Sequence, residues 1–271
     1  MSTKFLIVGA SAGTGIKLVE LLLSQSYQVG IVVRNLSKTK DVFKNSFDSL
    51  SKVVQFEFGL STDTSELEKA ISWSDILISN LGPVKDNAQV SDYEAICELI
   101  SLFEKNKANS TKKFVMISAM LVTRPWHPFT FLLNWYIPYV MGWKALAENE
   151  LRKSKLDYLI VRPPQLTDEK TKGKLNPVLI DQGDKMSGRK ISRENLAHNI
   201  INLVQNKDLT KRVTVDIVEV SQPREYDIKS LKEDDEKSII TGDHFTATRN
   251  ITVFIYTLLF VLFCYLITIF K

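Results

Sequence analysis

Residues 9–15 read GASAGTG, a glycine-rich run between a short apolar stretch and an amphipathic one. A turn of this kind between strand and helix can wrap a pyrophosphate, with the helix N-terminus facing the anion. Gly9 permits a tight turn. The small residues Ser11, Ala12 and Gly13 let backbone N–H groups approach phosphate oxygens, Thr14 opens the helix, and Gly15 lets that helix pack closely on the strand. Further on, VVRN places Arg34 at the end of a second apolar run, with Lys38 nearby and no acid before Asp41. In dinucleotide sites this position reads the adenosine ribose. A carboxylate there accepts from the 2′-hydroxyl of NAD, whereas an arginine pairs with the 2′-phosphate of NADP. Arg34 therefore points to NADP(H).

A second candidate group is Lys144, in YIPYVMGWKALAENELRKS. Reduction of a carbonyl by hydride leaves an alkoxide that needs a proton. A tyrosine one helical turn before a lysine, its pKa lowered by that lysine, is a common donor. Here that position is Val140. Tyr139 is one residue off, which on a helix turns it to another face. Pro138 suits a first helical turn, so Tyr136 and Tyr139 are expected at or before the helix start.

These residues need a scaffold, and the chain supplies a repeating one. KFLIVGA, QVGIVVRN, KVVQFEFGL, SDILISNLG, KKFVMISAM, LDYLIVRPP and RVTVDIVEV read as strands. Between them lie TGIKLVELLLSQS, DTSELEKAIS, VSDYEAICELISLFEKN, KALAENELRKSK and SRENLAHNIINLVQN, which read as helices, the last capped by Ser192. Strands that are apolar throughout, alternating with helices, imply a parallel sheet covered on both faces. The expected fold is an α/β, doubly wound Rossmann-type domain over residues 1–220.

The chain resembles the atypical short-chain dehydrogenase/reductases, in their NmrA-like and biliverdin-reductase-B or flavin-reductase-like branch. The resemblance covers roughly residues 4–220 and is carried by VGASAGTG, VVRN, ISNLG, FVMIS, KALAENELRKSKLDYLIVRPP and ISRENLAHNI. It implies that Asn80 and Gly82 line the cofactor and that Ser118 sits near the nicotinamide or substrate. It also implies that Lys144 binds the nicotinamide ribose and that Pro163, Pro164 and Gln165 border the nicotinamide end. Lys144 and Ser118 are then the catalytic candidates. Two departures stand out: Gly59 replaces an aspartate that helps hold adenine, and Val140 replaces the tyrosine. The branch implies hydride transfer to flavins or other conjugated acceptors, with the proton drawn from solvent. An NADP-binding domain without turnover, acting as a sensor, assembly factor or accessory subunit of a membrane complex, fits the same residues.

Composition removes other classes. The 271 residues include 35 basic and 31 acidic side chains, a formal charge of +4 spread along the chain. No basic stripe for nucleic acid emerges. Cys97 and Cys264, and His127, His198 and His244, are scattered without metal-ligand spacing, so no metal is expected. The start, MSTKFLIVGA, carries no secretory or transit pattern. Residues 221–250 are polar and read as a flexible linker. Residues 251–270, ITVFIYTLLFVLFCYLITIF, hold no charge. At about 1.5 Å per residue they span roughly the 30 Å hydrocarbon core of a bilayer. A single-pass C-terminal anchor follows, with the domain facing the cytosol, at the endoplasmic reticulum or mitochondrial outer membrane. Residues 124–143 concentrate Trp126, Trp135 and Trp143 with Phe129, Phe131, Tyr136 and Tyr139. Tryptophan and tyrosine favour membrane interfaces. The segment is expected to overhang the nicotinamide as a lid, a lipid-facing patch or the wall of a pocket for a hydrophobic small-molecule substrate.

Overall fold

A computed structural model describes residues 3–83, 87–106, 112–169, 174–185, 190–222 and 227–269. The order is β1 (Lys4–Val8), α1 (Thr14–Ser24), β2 (Gln28–Val33), α2 (Leu36–Phe43), β3 (Lys52–Gln55), α3 (Ser65–Trp73), β4 (Ile76–Ser79), α4 (Ala95–Lys105) and β5 (Lys113–Ile117). Then come α5 (Pro128–Tyr136), α6 (Val140–Lys153), β6 (Asp157–Arg162), β7 (Gln165–Thr167), β8 (Val178–Asp181), β9 (Lys190–Ser192), α7 (Arg193–Gln205), β10 (Val213–Glu219) and α8 (His244–Ile269).

Among the described residues, eight strands form one sheet in the order β3-β2-β1-β4-β5-β6-β10-β8. Every pairing in it is parallel except β10 with β8. This is the doubly wound Rossmann-type arrangement that the β/α alternation predicts. The apolar strands explain it. In β1, Phe5 and Ile7 face a core shared with α1 and α7, while Leu6 and Val8 face a second core shared with α3, α4 and α6. Side chains alternate between faces along a strand, so a strand buried on both sides must be apolar throughout. Ser192 caps α7 by accepting from Asn195 N at 3.2 Å, as its position predicts. The strand order reverses between β1 and β4, which opens a crevice at their C-terminal ends.

Residues 227–248 differ from the flexible linker that their polarity suggests, because buried partners take up their polar groups. Asp234 accepts from Thr214 N, from Tyr158 Oη at 3.0 Å and from Arg152 Nε at 3.3 Å. The backbone of Ile240 exchanges two 2.8 Å hydrogen bonds with the Asn149 side chain. The last helix also begins before the charge-free run. His244, Ala247 and Thr248 are buried against the domain, and from Val253 onward the described side chains of α8 are exposed.

Candidate functional site

One cleft of about 520 Å³ occupies the crevice between β1 and β4, a size suited to a small-molecule ligand. Gly9, Ser11, Ala12, Gly13 and Thr14 form one wall, Arg34 lies at the end of β2, and Asn80 and Gly82 follow β4. All eight are among the residues expected to hold the cofactor. Gly15 stands behind them. A Cβ there would come within 2.4 Å of the Gly9 carbonyl oxygen, so α1 can start this close to β1 only with glycine. The Asn80 side chain fastens the turn by donating to the carbonyls of Gly9 at 3.0 Å and Ala12 at 3.3 Å.

The cleft has the chemistry of a phosphate site. Gly13 caps α1 without a side-chain hydrogen bond, and of the first helical N–H groups Gly15 N turns back to the Ala12 carbonyl at 3.0 Å. The Thr14 hydroxyl is buried and unpartnered among the described residues. Arg193, the first residue of α7, also lines the cleft, and its Nε lies 3.1 Å from where a Gly13 Cβ would be. Its guanidinium pairs with exposed Asp168 at 2.8 Å. A pyrophosphate would thus meet helix N–H groups, a hydroxyl and a cation. Arg193 escaped the sequence reading. The available signal was its place one residue after the Ser192 cap, in the matching stretch ISRENLAHNI.

Phe56, Glu57 and Phe58 line the far end of the cleft with Arg34. Gly59, where the resemblance expects an aspartate, has φ of 80°, and a Cβ would meet Val90 at 2.8 Å. Neither the backbone nor the space admits the aspartate. Arg34 is exposed at the ribose-reading position, where Glu57 also lines the cleft, and the neighbouring Asn35 is occupied in capping α2 through Lys38 N at 2.8 Å.

The residues expected at the nicotinamide end stand apart from this cleft. Lys144 is buried in an ion pair with Asp92, 2.6 Å away. Ser118 donates to Glu148 Oε1 at 2.5 Å. The Pro163 carbonyl accepts from Met120 N at 2.9 Å. Pro164 is half-buried and Gln165 is exposed at the start of β7. None of these five lines the cleft. Val140 is packed in an apolar cluster with Met120 and Val122. Tyr136 ends α5. Tyr139 precedes α6 with φ of 57°, and its ring lies 5.1 Å from that of Phe245. Pro138 falls just outside the helix it was expected to open.

Glu148 centres a buried ionic cluster that sequence spacing did not disclose. Burial alone would raise its pKa. Arg162, then Arg152, outweigh that and hold it near about 2. Arg162 donates to both carboxylate oxygens, at 3.0 and 2.6 Å, and Arg152 donates at 2.9 Å. Glu148 therefore stays ionised, accepts the hydrogen bond from the Ser118 hydroxyl, and leaves the Ser118 oxygen able to act only as an acceptor toward a ligand. Beside the cluster, burial raises the Asp216 pKa to about 7, with Arg162 opposing and Asp184 adding to the rise. Asp184 holds the loop after β5, accepting from Leu121 N at 2.6 Å and Thr123 N at 2.9 Å.

The aromatic segment is divided by the structure. Trp143 is half-buried between Tyr93 and Phe245, at ring distances of 5.9 and 4.9 Å. Trp126 and Trp135 are 61% and 63% exposed. No residue of 124–143 lines the cleft.

Comparisons with known proteins agree with this geometry. A model of the NAD(P)H-binding family matches residues 9–207. The chain is similar to the UPF0659 protein YMR090W of Saccharomyces cerevisiae, 25% identical over 84% of this chain and 98% of that protein. Among solved structures, it is similar to ChuY, an anaerobillin reductase from Escherichia coli. That match has 21% identity and a TM-score of 0.63, over 82% of this chain and 100% of that one. It is also similar to a short-chain dehydrogenase/reductase from Veillonella parvula in complex with NADP. There the identity is 16% and the TM-score 0.64, over 81% of this chain and 95% of that one. At these identities the structural likenesses establish the fold.

Proposed function

The chain belongs to the NAD(P)H-binding family, and from that premise we propose that it is a membrane-anchored, NADP(H)-dependent oxidoreductase. It reduces a hydrophobic or conjugated acceptor without a catalytic tyrosine. The observation that carries this reading is one cleft lined by Arg34, by the Gly13–Thr14 turn and by Arg193. When bound, the reduced nicotinamide supplies a hydride. Arg34 holds the 2′-phosphate, and the α1 N-terminus, Thr14 and Arg193 hold the pyrophosphate. Lys144, steadied by Asp92, orients the ribose beyond it. Ser118, its proton committed to Glu148, accepts a hydrogen bond from the nicotinamide or acceptor. With Val140 at the usual acid position, the acceptor takes its proton from water, which suits conjugated acceptors better than simple carbonyls. The reductase name of the Escherichia coli neighbour and the NADP in the Veillonella structure support the same chemistry by analogy.

The anchor is α8. Its described side chains from Val253 to Leu266 are exposed, and the helix from Val253 to Ile269 would rise about 25 Å, close to the thickness of a hydrocarbon core. The family match ends at residue 207, well before this helix. The reading keeps the domain on the cytosolic side, at the endoplasmic reticulum or mitochondrial outer membrane.

A second reading is a non-catalytic NADP-binding subunit of a membrane complex. It is favoured by the internal partners of Ser118 and Lys144, which leave neither side chain free in the described structure. Purification with retained nucleotide, followed by an NADPH-consumption screen over flavins, quinones and lipid aldehydes, separates the two. Turnover that survives Tyr139→Phe is the expected result. Bound NADP with no turnover on any acceptor supports the second reading.

A further inference from the structure

Helix α5 is inside out for a soluble protein. Its polar residues Thr130 and Asn134, one helical turn apart, are buried. Its apolar residues Phe129, Leu132 and Trp135 are 51%, 53% and 63% exposed. Exposed Tyr136 and, just before the helix, Trp126 extend the same surface. A surface helix normally points its apolar stripe inward. A contiguous patch of large apolar groups marks an interaction site.

The inversion has a structural cause. Asn134 accepts from Met141 N at 2.8 Å and donates to Thr248 Oγ1 at 3.1 Å, and it lies 3.4 Å from His244 Nδ1. His244 Nε2 donates to the Val122 carbonyl at 2.6 Å. The polar face of α5 is thus clamped to the first turns of α8, the helix read above as the membrane anchor. The apolar face that remains is rich in aromatics and is carried by a helix packed on the base of that anchor. Arg249 and Asn250 are exposed at the junction, where a headgroup layer would begin.

We propose that α5, with Trp126, is an in-plane membrane-binding element that lies in the interface of the same bilayer that α8 enters. Tryptophan and tyrosine at the exposed end suit the headgroup level, and the phenylalanine and leucine suit the acyl boundary beneath. The two helices together fix the orientation of the domain. The loop after β5, which carries Ser118 at its start, is then held beside the bilayer from which an apolar acceptor would arrive. This inference rests on the anchor reading of α8.

The test uses the full chain in phosphatidylcholine vesicles, with and without brominated acyl chains. Helix α8 carries no tryptophan, so the anchor itself is silent in this assay. Quenching of tryptophan emission by the brominated lipid is expected. It should be largely lost in the W126F/W135F double variant, which keeps Trp143 under Phe245 and Trp73 at the opposite end of the sheet. NADPH binding unchanged between the two proteins confirms that the variant is folded. Equal quenching in both, with both retained in the vesicles after an alkaline wash, would overturn the inference and leave the anchor standing. Cross-linking of α5 to a second copy in the vesicles would overturn it as well. Release of the full chain by the wash would overturn the anchor reading, and this inference with it.

Discussion

Two truncations distinguish a tethering stalk from a segment that belongs to the domain. A chain ending at Thr252 keeps His244, Phe245, Ala247 and Thr248; a chain ending at Asp243 loses all four. The shorter chain loses the 2.6 Å hydrogen bond from His244 to the Val122 carbonyl and the 3.1 Å bond between Asn134 and Thr248. Both surviving partners are buried groups, and each such loss costs about 1 kcal/mol or more. The Phe245 ring is also removed from between Tyr139 and Trp143, for about 2 kcal/mol of apolar burial. The total is on the order of 4 kcal/mol, and at about 2–4 °C per kcal/mol for a domain of this size the melting temperature should fall by roughly 10 °C. Differential scanning fluorimetry of the two truncated chains, each with saturating NADPH, measures the difference. The chain ending at Thr252 should be soluble, should bind nucleotide and should melt at the higher temperature. Equal melting temperatures would refute the reasoning and return residues 244–250 to the linker expected over 221–250.

Arg34→Ala removes a charge-assisted arginine–phosphate contact of about 1.5–3 kcal/mol. NADPH binding should weaken by about one to two decades while NADH binding changes little, as read by titration calorimetry. Arg193→Ala should weaken both nucleotides by a similar factor, because Arg193 faces the glycine turn and not the ribose end. Selective loss of NADPH there would refute the assignment. Burial lowers the His244 pKa below its ordinary value, against smaller raising effects from Val122 and Asp243. The folded state then binds its proton less readily than the unfolded state. The contribution of His244 to stability is full above about pH 6.5 and is lost as pH falls below that, through the folded pKa. Melting curves between pH 7.5 and 5 should show this loss in the wild-type chain. They should show a flatter dependence in His244→Asn.

The order β1, glycine turn, α1 and the position of Arg34 were legible in the sequence because they depend on neighbours only a few residues away. Gly9 to Gly15 shape one turn, and Arg34 ends one strand. The two-sided burial of the parallel sheet was legible too, since it leaves continuous apolar runs. The register of Val140 against Lys144 could also be read from spacing, and the structure places Tyr139 at the turn before α6. What the tertiary structure decided are contacts between distant segments. Asn134 and His244 are 110 residues apart, and only their meeting explains why α5 turns its polar face inward. Asp234 ties a charged stretch with the composition of a linker to Arg152 and Tyr158, 82 and 76 residues away. Arg193 reaches the glycine turn from the far end of the family match. Composition and periodicity report how a segment would meet water. Whether a polar segment finds buried partners instead depends on which surfaces the closed sheet brings within about 3 Å, the reach of a hydrogen bond.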